Sequence, residues 1–172
     1  MSDKERFRSV VQPHLTDAYA LARWLTGNAA DAEDVVQEAC LRAFRGINGY
    51  NGGNARAWVL TIVRNTAFNW MAKSRSHATT PLDDDESLQP ADLETPEAVL
   101  VAKTDAVRVE AAIAALPEGL RETFVLREVH ELGYKEIAQV TGVPIGTVMS
   151  RLARSRNRLL AVLGDAKEAP HE

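Results

Sequence analysis

Cysteine is almost missing from this sequence: Cys40 stands alone, so no internal disulfide can form. Four scattered histidines (His14, His77, His130 and His171) add no Cys/His spacing of the zinc-binding kind, so neither a structural metal site nor any cofactor is expected. No run of eighteen apolar residues occurs, which argues against a membrane-spanning helix and against direct membrane insertion. The opening residues, Met1 to Arg8, lack an apolar stretch followed by a small-residue cleavage site, so a secretory leader is not expected. A reducing, cytoplasmic setting fits these absences. No nucleophile motif joins a histidine to a Ser or Cys, and no glycine-rich phosphate loop follows a strand. The acidic run Asp83, Asp84, Asp85 and Glu86 has no second cluster at a defined spacing, so it is not read as a metal site. An enzyme is not expected.

What is present is a chain of 172 residues, 45% hydrophobic and 26% charged, enough for a real core in one domain or two small ones. A formal charge of −4 speaks against nucleic acid, but the charges are segregated. Arg45 to Leu82 holds Arg45, Arg56, Arg64, Lys73 and Arg75 and no carboxylate; Val143 to Gly164 holds Arg151, Arg154, Arg156 and Arg158 and none either. Between them, Asp83 to Glu97 carries seven carboxylates and no base. A polyanion feels the field within roughly 8–10 Å, so two basic lobes outweigh the net sum. Each lobe alone is equally well read as an ordinary solvated face.

The pattern is helical throughout, with no clean strand alternation. A first helix is expected over about Glu5–Leu25 and a second from Ala29–Asp31 to Arg45, ended by the glycines at 46, 49, 52 and 53. A third is expected over Ala55–Ser74. His77 to Thr95, with Pro81 and Pro90, reads as a flexible acidic linker. Thr95 and Pro96 then have the form of a helix start, continuing to Ala115. Further helices follow over Glu118–Glu131, Tyr134–Thr141 and Ile145–Leu163, with a disordered tail after that. The fold class is therefore all-α: two small helical domains (1–77 and 97–164) joined by a linker (78–96), with a tail (165–172).

The stretch Tyr134 to Leu152 has the form of a helix-turn-helix. Ala138 is small where two helices would cross, and Gly142 supplies a sharp turn. Pro144 fixes the next helix, and Ile137, Val140, Val148 and Leu152 can close a core. On the second helix Thr147, Ser150, Arg151, Arg154 and Arg158 share one face, opposite Val148, Leu152 and Leu159. A basic, hydroxyl-bearing stripe suits the major groove, where arginine can bond two acceptors of guanine.

In the first domain, Ala32, Val35, Val36, Ala39 and Ala43 form an inward stripe on the second helix. Asp34, Gln37, Glu38 and Leu41 form another face, suited to a basic helical partner rather than to DNA. On the third helix Leu60, Val63, Ala67 and Met71 point inward with Ile62 and Trp58, while Asn65, Asn69, Lys73 and Ser76 make a polar stripe flanked by Arg56, Arg64 and Arg75. Amides and bases beside aromatics suit single-stranded nucleic acid. Trp58 and Trp70 are read as core residues before stacking platforms.

Three segments carry a family resemblance. Asp31 to Arg45 resembles region 2.2 of the sigma-70 superfamily, Ala55 to Arg75 resembles regions 2.3 and 2.4, and Leu116 to Leu160 resembles region 4. With these two domains alone, the chain resembles the extracytoplasmic-function (group IV) sigma factors. The loop 46–54 is richer in Gly and Asn, and Met71 to Arg75 less basic, than in many relatives. The resemblance implies a promoter-specificity subunit of RNA polymerase, in which Asp34, Gln37, Glu38 and Leu41 meet the polymerase core. It assigns Asn48, Tyr50, Asn54, Arg56, Arg64, Asn65, Asn69, Lys73 and Arg75 to the minus-10 element, the loop 46–54 holding one flipped base. Thr147, Ser150, Arg151, Arg154 and Arg158 would read the minus-35 element, and an anti-sigma factor is the implied further partner. The alternative is a two-domain helix-turn-helix regulator that binds duplex DNA without polymerase; a third reading is a helical adaptor. The acidic strap 83–97 is further expected to lie over the basic lobes and hinder stray DNA binding.

Overall fold

The computed structural model describes residues 1–77 and 104–167. Eight α-helices run in order: α1 (Asp3–Val10), α2 (Leu15–Thr26), α3 (Ala29–Arg45), α4 (Ala55–His77), α5 (Thr104–Ala114), α6 (Glu118–Glu128), α7 (Tyr134–Thr141) and α8 (Ile145–Lys167). Short 3-10 turns stand at Gln12–His14 and Ile47–Gly49, and there is no strand among the described residues. The acidic linker, the helix start at Thr95 and the end of the tail lie outside the described residues. Asp165 to Lys167, expected in the tail, continue α8.

The expected first helix is two helices. Pro13 sits in the 3-10 turn between them, because its ring clashes with the preceding turn and it offers no N–H to the ladder. Ser2 caps α1, its side chain accepting from the Glu5 N–H while Glu5 returns to the Ser2 N–H. Gly27, left-handed at φ 85°, ends α2. Asn28 starts α3 by accepting from the Asp31 N–H at 2.8 Å.

In the N-terminal unit α2, α3 and α4 pack on one another around Leu21, Leu25, Ala32, Val35, Ala39, Leu60, Val63 and Ala67, all buried. The expected stripe of α4 is too narrow, since Ala57, Val59 and Thr66 are buried as well. The reason is that α4 has several neighbours: Val59 packs toward α2 and α3, while α7 of the C-terminal unit packs on α4 as well, and α6 packs on α2. In that unit α6, α7 and α8 enclose Leu120, Val125, Leu126, Ile137, Val140, Val148, Leu152 and Leu159. The helix-turn-helix is formed by α7 and α8. Gly142 adopts φ 73° and its N–H bonds back to the Ala138 carbonyl at 2.9 Å; the Thr147 and Val148 N–H groups both reach Pro144 O.

Two glycines of this motif should respond oppositely to alanine. Gly142 has open space around it but a left-handed backbone, so Gly142→Ala costs about 1–2 kcal/mol. Gly146 has open space and helical backbone, so Gly146→Ala stabilises by up to about 1 kcal/mol. Urea unfolding midpoints of the two variants check the signs.

Candidate functional site

Two surfaces of the N-terminal unit matter. The first is an open groove of about 600 Å³ beside α3, lined by Phe7, Leu15, Val36, Gln37, Cys40, Leu41 and Phe44. Phe7 of α1 meets Phe44 edge-on at 5.8 Å, and Leu41 is half exposed although apolar. Of the residues expected to face a protein partner, Gln37 and Leu41 line this groove, Asp34 is exposed, and Glu38 accepts from Arg42 Nε at 3.1 Å. Val36, expected inward, is partly buried against the core and also forms part of the groove wall. Burial pushes the Cys40 thiol up, which lowers its reactivity at neutral pH.

The second surface is α4 with the loop before it. Gly52 and Gly53 take φ 93° and 87°, which bends the chain sharply ahead of the helix. Asn54 caps α4 by accepting from the Ala57 N–H at 3.0 Å. Arg6 of α1 holds the loop in place, donating to the Tyr50 carbonyl at 2.9 Å and to the Asn48 side chain at 3.4 Å. The Tyr50 ring lies 5.3 Å from Trp58, and its hydroxyl donates to Gly53 O at 2.8 Å. Trp58 and Trp70 are both partly buried against the core. Asn65, Asn69 and Lys73 are exposed along α4.

The remaining α4 residues of the expected set are engaged by the C-terminal unit. Arg64 grips the buried Glu122 of α6 with two nitrogens, Nε at 2.8 Å and Nη2 at 3.1 Å, while Nη1 donates to Asn65 at 3.2 Å. Its guanidinium also lies 4.3 Å over the Phe68 ring. Arg75 donates to Glu118 at 2.7 Å, and Asn54 donates to Glu136 of α7 at 2.6 Å. Arg56 bonds both Asp17 of α2, at 3.1 Å, and the His130 carbonyl.

On α8, Arg154 and Arg158 are exposed, while Thr147 and Ser150 are half-buried, the Ser150 hydroxyl donating to Thr147 O at 3.0 Å. Arg151 differs from the other arginines of its stripe. It turns back over Gly119, where an added Cβ would meet its Cζ at 3.3 Å, and lies 3.7 Å from Glu122. Ser155 is buried and donates to Leu120 O at 3.1 Å, locking α8 to α6. Sequence reasoning missed Asp17, Glu118, Glu122, His130 and Glu136. The available signal was Glu122 itself, a carboxylate four residues before the core Leu126 on the same helical face.

His130 is 1% exposed and neither ring nitrogen has a hydrogen-bond partner; Asp17 Oδ1 lies 3.6 Å from Nδ1. Burial pushes the imidazole below its ordinary value, Asp17 opposing and Arg56 reinforcing that shift. Among the described residues no three His, Cys, Asp or Glu side chains lie together as a metal site, and no helix is long and apolar enough to cross a membrane.

Residues 10–77 match the family described as Sigma-70 region 2, and residues 106–159 match Sigma-70, region 4. The RNA polymerase sigma-H factor of Pseudomonas aeruginosa is 32% identical over 168 residues, covering 91% of this chain and 86% of that one. The ECF RNA polymerase sigma factor SigE of Mycolicibacterium smegmatis is 33% identical over 150 residues, or 87% of this chain, which spans 58% of that relative's length. The ECF RNA polymerase sigma-E factor of Escherichia coli K12 is 33% identical over 139 residues, 76% of this chain and 73% of its own. Among solved structures, the sigma factor RpoE in complex with the anti-sigma factor NepR from Bartonella quintana has TM-score 0.69 at 25% identity, covering 92% of this chain and 96% of that one. CnrH, solved with the cytosolic domain of CnrY, shares the fold at TM-score 0.65 and 22% identity, covering 92% of this chain and 88% of that one. Both units of the chain thus have counterparts in one family. The chain belongs to the sigma-70 family, among its ECF RNA polymerase sigma factors.

The depressed imidazole carries a pH signature. Because the packed state holds His130 neutral, its contribution is complete above the ordinary histidine value of about 6.5 and is lost as pH falls below that value. Between pH 7.5 and about 5.5 the urea midpoint of the parent should fall, and that of His130→Leu should fall less. Parallel pH profiles for the two proteins would remove His130 from the account.

Proposed function

We propose that this chain is a cytoplasmic promoter-specificity subunit, without catalytic activity of its own, that directs the RNA polymerase core to promoters and starts transcription there. The observation that carries the reading is the pairing, in one chain, of a partner-ready groove on α3 with a helix-turn-helix downstream. A regulator that binds duplex DNA alone has no need of an exposed leucine and amide set in an apolar groove beside carboxylates. Asp34, Gln37, Glu38 and Leu41 meet the polymerase, whose contacting helix is expected to be basic. Asn48, Tyr50, Asn54, Arg56, Arg64, Asn65, Asn69, Lys73 and Arg75 form the minus-10 surface: amides and guanidinium groups for bases and phosphates, with aromatic support behind them. Thr147, Ser150, Arg151, Arg154 and Arg158 of α8 enter the major groove at the minus-35 element. The relation to RpoE, solved with NepR, supports an anti-sigma factor as a further partner.

Reconstitution with core polymerase on genomic promoter fragments tests the reading, and promoter-specific initiation is the expected result. Asp34→Arg with Glu38→Arg should lower core association at least about tenfold at unchanged helicity, because like charges would then face one another. Arg154→Ala should cost about 1–3 kcal/mol of binding on the cognate upstream element and relax preference at one base pair. A phosphate contact would weaken all sequences alike.

A further inference from the structure

Resting on the reading of the loop before α4 as part of the minus-10 surface, we propose that Arg6 of α1 is a positioning residue for base recognition. It sets the Asn48 side chain so that the amide N–H groups face outward, toward a base edge that carries acceptor atoms. Arg6 belongs to none of the residue sets assigned to polymerase or DNA. Its place on α1 is fixed locally. The Ser2–Glu5 capping box starts the helix, the Arg6 N–H bonds back to the Ser2 carbonyl at 3.0 Å, and the next residue, Phe7, packs edge-on against Phe44. From there the partly buried guanidinium reaches across to the loop, where Nη2 donates to the Tyr50 carbonyl at 2.9 Å and Nη1 to Asn48 Oδ1 at 3.4 Å.

The chemistry leaves Asn48 one orientation. A guanidinium can only donate, so the amide turns its oxygen toward Arg6 and its nitrogen away. Asn48 is exposed, and its Nδ2 has no partner among the described residues. Two donors are thereby offered to a carbonyl oxygen or ring nitrogen of a base. A freed amide could rotate and pair with donors and acceptors alike, so fixing which end faces the base is what makes it selective. The turn that carries Asn48 is already built. Ile47 is buried beneath it, the Gly49 and Tyr50 N–H groups close it onto the Gly46 and Ile47 carbonyls, and the Tyr50 hydroxyl donates to Gly53 O at 2.8 Å.

The test uses the full chain with core polymerase, on a genomic fragment from which it initiates and on versions carrying every single base change across the minus-10 element. Arg6→Ala and Asn48→Asp should flatten base preference at one and the same position, each about fivefold, the worth of one hydrogen bond, and leave the ratios at other positions as in the parent. Asn48→Asp separates recognition from structure, because a carboxylate pairs with Arg6 at least as well as the amide does but donates nothing. Arg6→Lys keeps the charge without the two-point reach and should restore only part of the preference. Loop order is read without polymerase by hydrogen exchange. The Gly49 and Tyr50 amides should exchange about fivefold faster in Arg6→Ala, and no faster in Asn48→Asp. Unchanged preference in Asn48→Asp overturns the proposal, as does equal weakening at every position in Arg6→Ala with full rescue by Arg6→Lys. A parent that initiates nowhere defeats the sigma-factor reading and the base-reading step with it, while the exchange result still decides whether Arg6 orders the loop.

Discussion

Glu122 is a carboxylate with 1% of its surface exposed, and an anion so placed survives only if cations come to it. One of them, Arg151, belongs to its own unit; the other, Arg64, belongs to the neighbouring one. Burial of a single acid thereby depends on two helices separated by about half of the chain. Around it the seam is assembled from ion pairs and amides, with α7 laid on α4 and α6 on α2. Such a seam differs from a hydrophobic core in one respect. Each charged partner can be rehydrated on separation, but parting the units also exposes apolar side chains, because one buried cluster runs through both of them.

The N-terminal unit accordingly keeps two faces in different conditions. The α3 groove, between Phe7 and Phe44, is open and lined mainly by apolar side chains that no other element among the described residues covers. On the α4 face Arg56, Arg64 and Arg75 are paired, while Asn65, Asn69 and Lys73 stay exposed. A protein partner can settle on α3 without disturbing the paired groups of α4. Arg6 ties α1 to the loop before α4, so the groove wall and that loop belong to one rigid piece.

Much of this was legible in the sequence, and the exceptions have physical causes. The helix-turn-helix was readable because Gly142, Pro144 and the spacing of Ile137, Val140, Val148 and Leu152 act locally, within one short stretch of the chain. Tyr134–Thr141 has the same limits in sequence pattern and in structure. The break at Pro13 was overlooked because the apolar spacing of Val10, Val11, Leu15 and Ala18 continues across it, and periodicity outweighed a single residue. Burial of Ala57 and Val59 was missed because α4 has neighbours on more than one side, which widens the apolar face beyond one stripe. The seam was invisible for a deeper reason. Arg64 and Glu122 are 58 residues apart, Arg56 and His130 74, and Asn54 and Glu136 82, and no local pattern encodes pairings at such separation. Among the described residues the carboxylates that meet α4 stand singly in α6 and α7, without the density that makes the acidic run 83–97 conspicuous in the sequence.

At position 119 a single missing carbon sets the posture of Arg151. With no side chain there, the guanidinium plane can rest flat on the backbone of α6, its nitrogens 3.5 Å from where a methyl would stand. Alanine would press that plane back by a few tenths of an ångström. Glycine at this site therefore sets how closely Arg151 can lie against α6 and, with it, near Glu122.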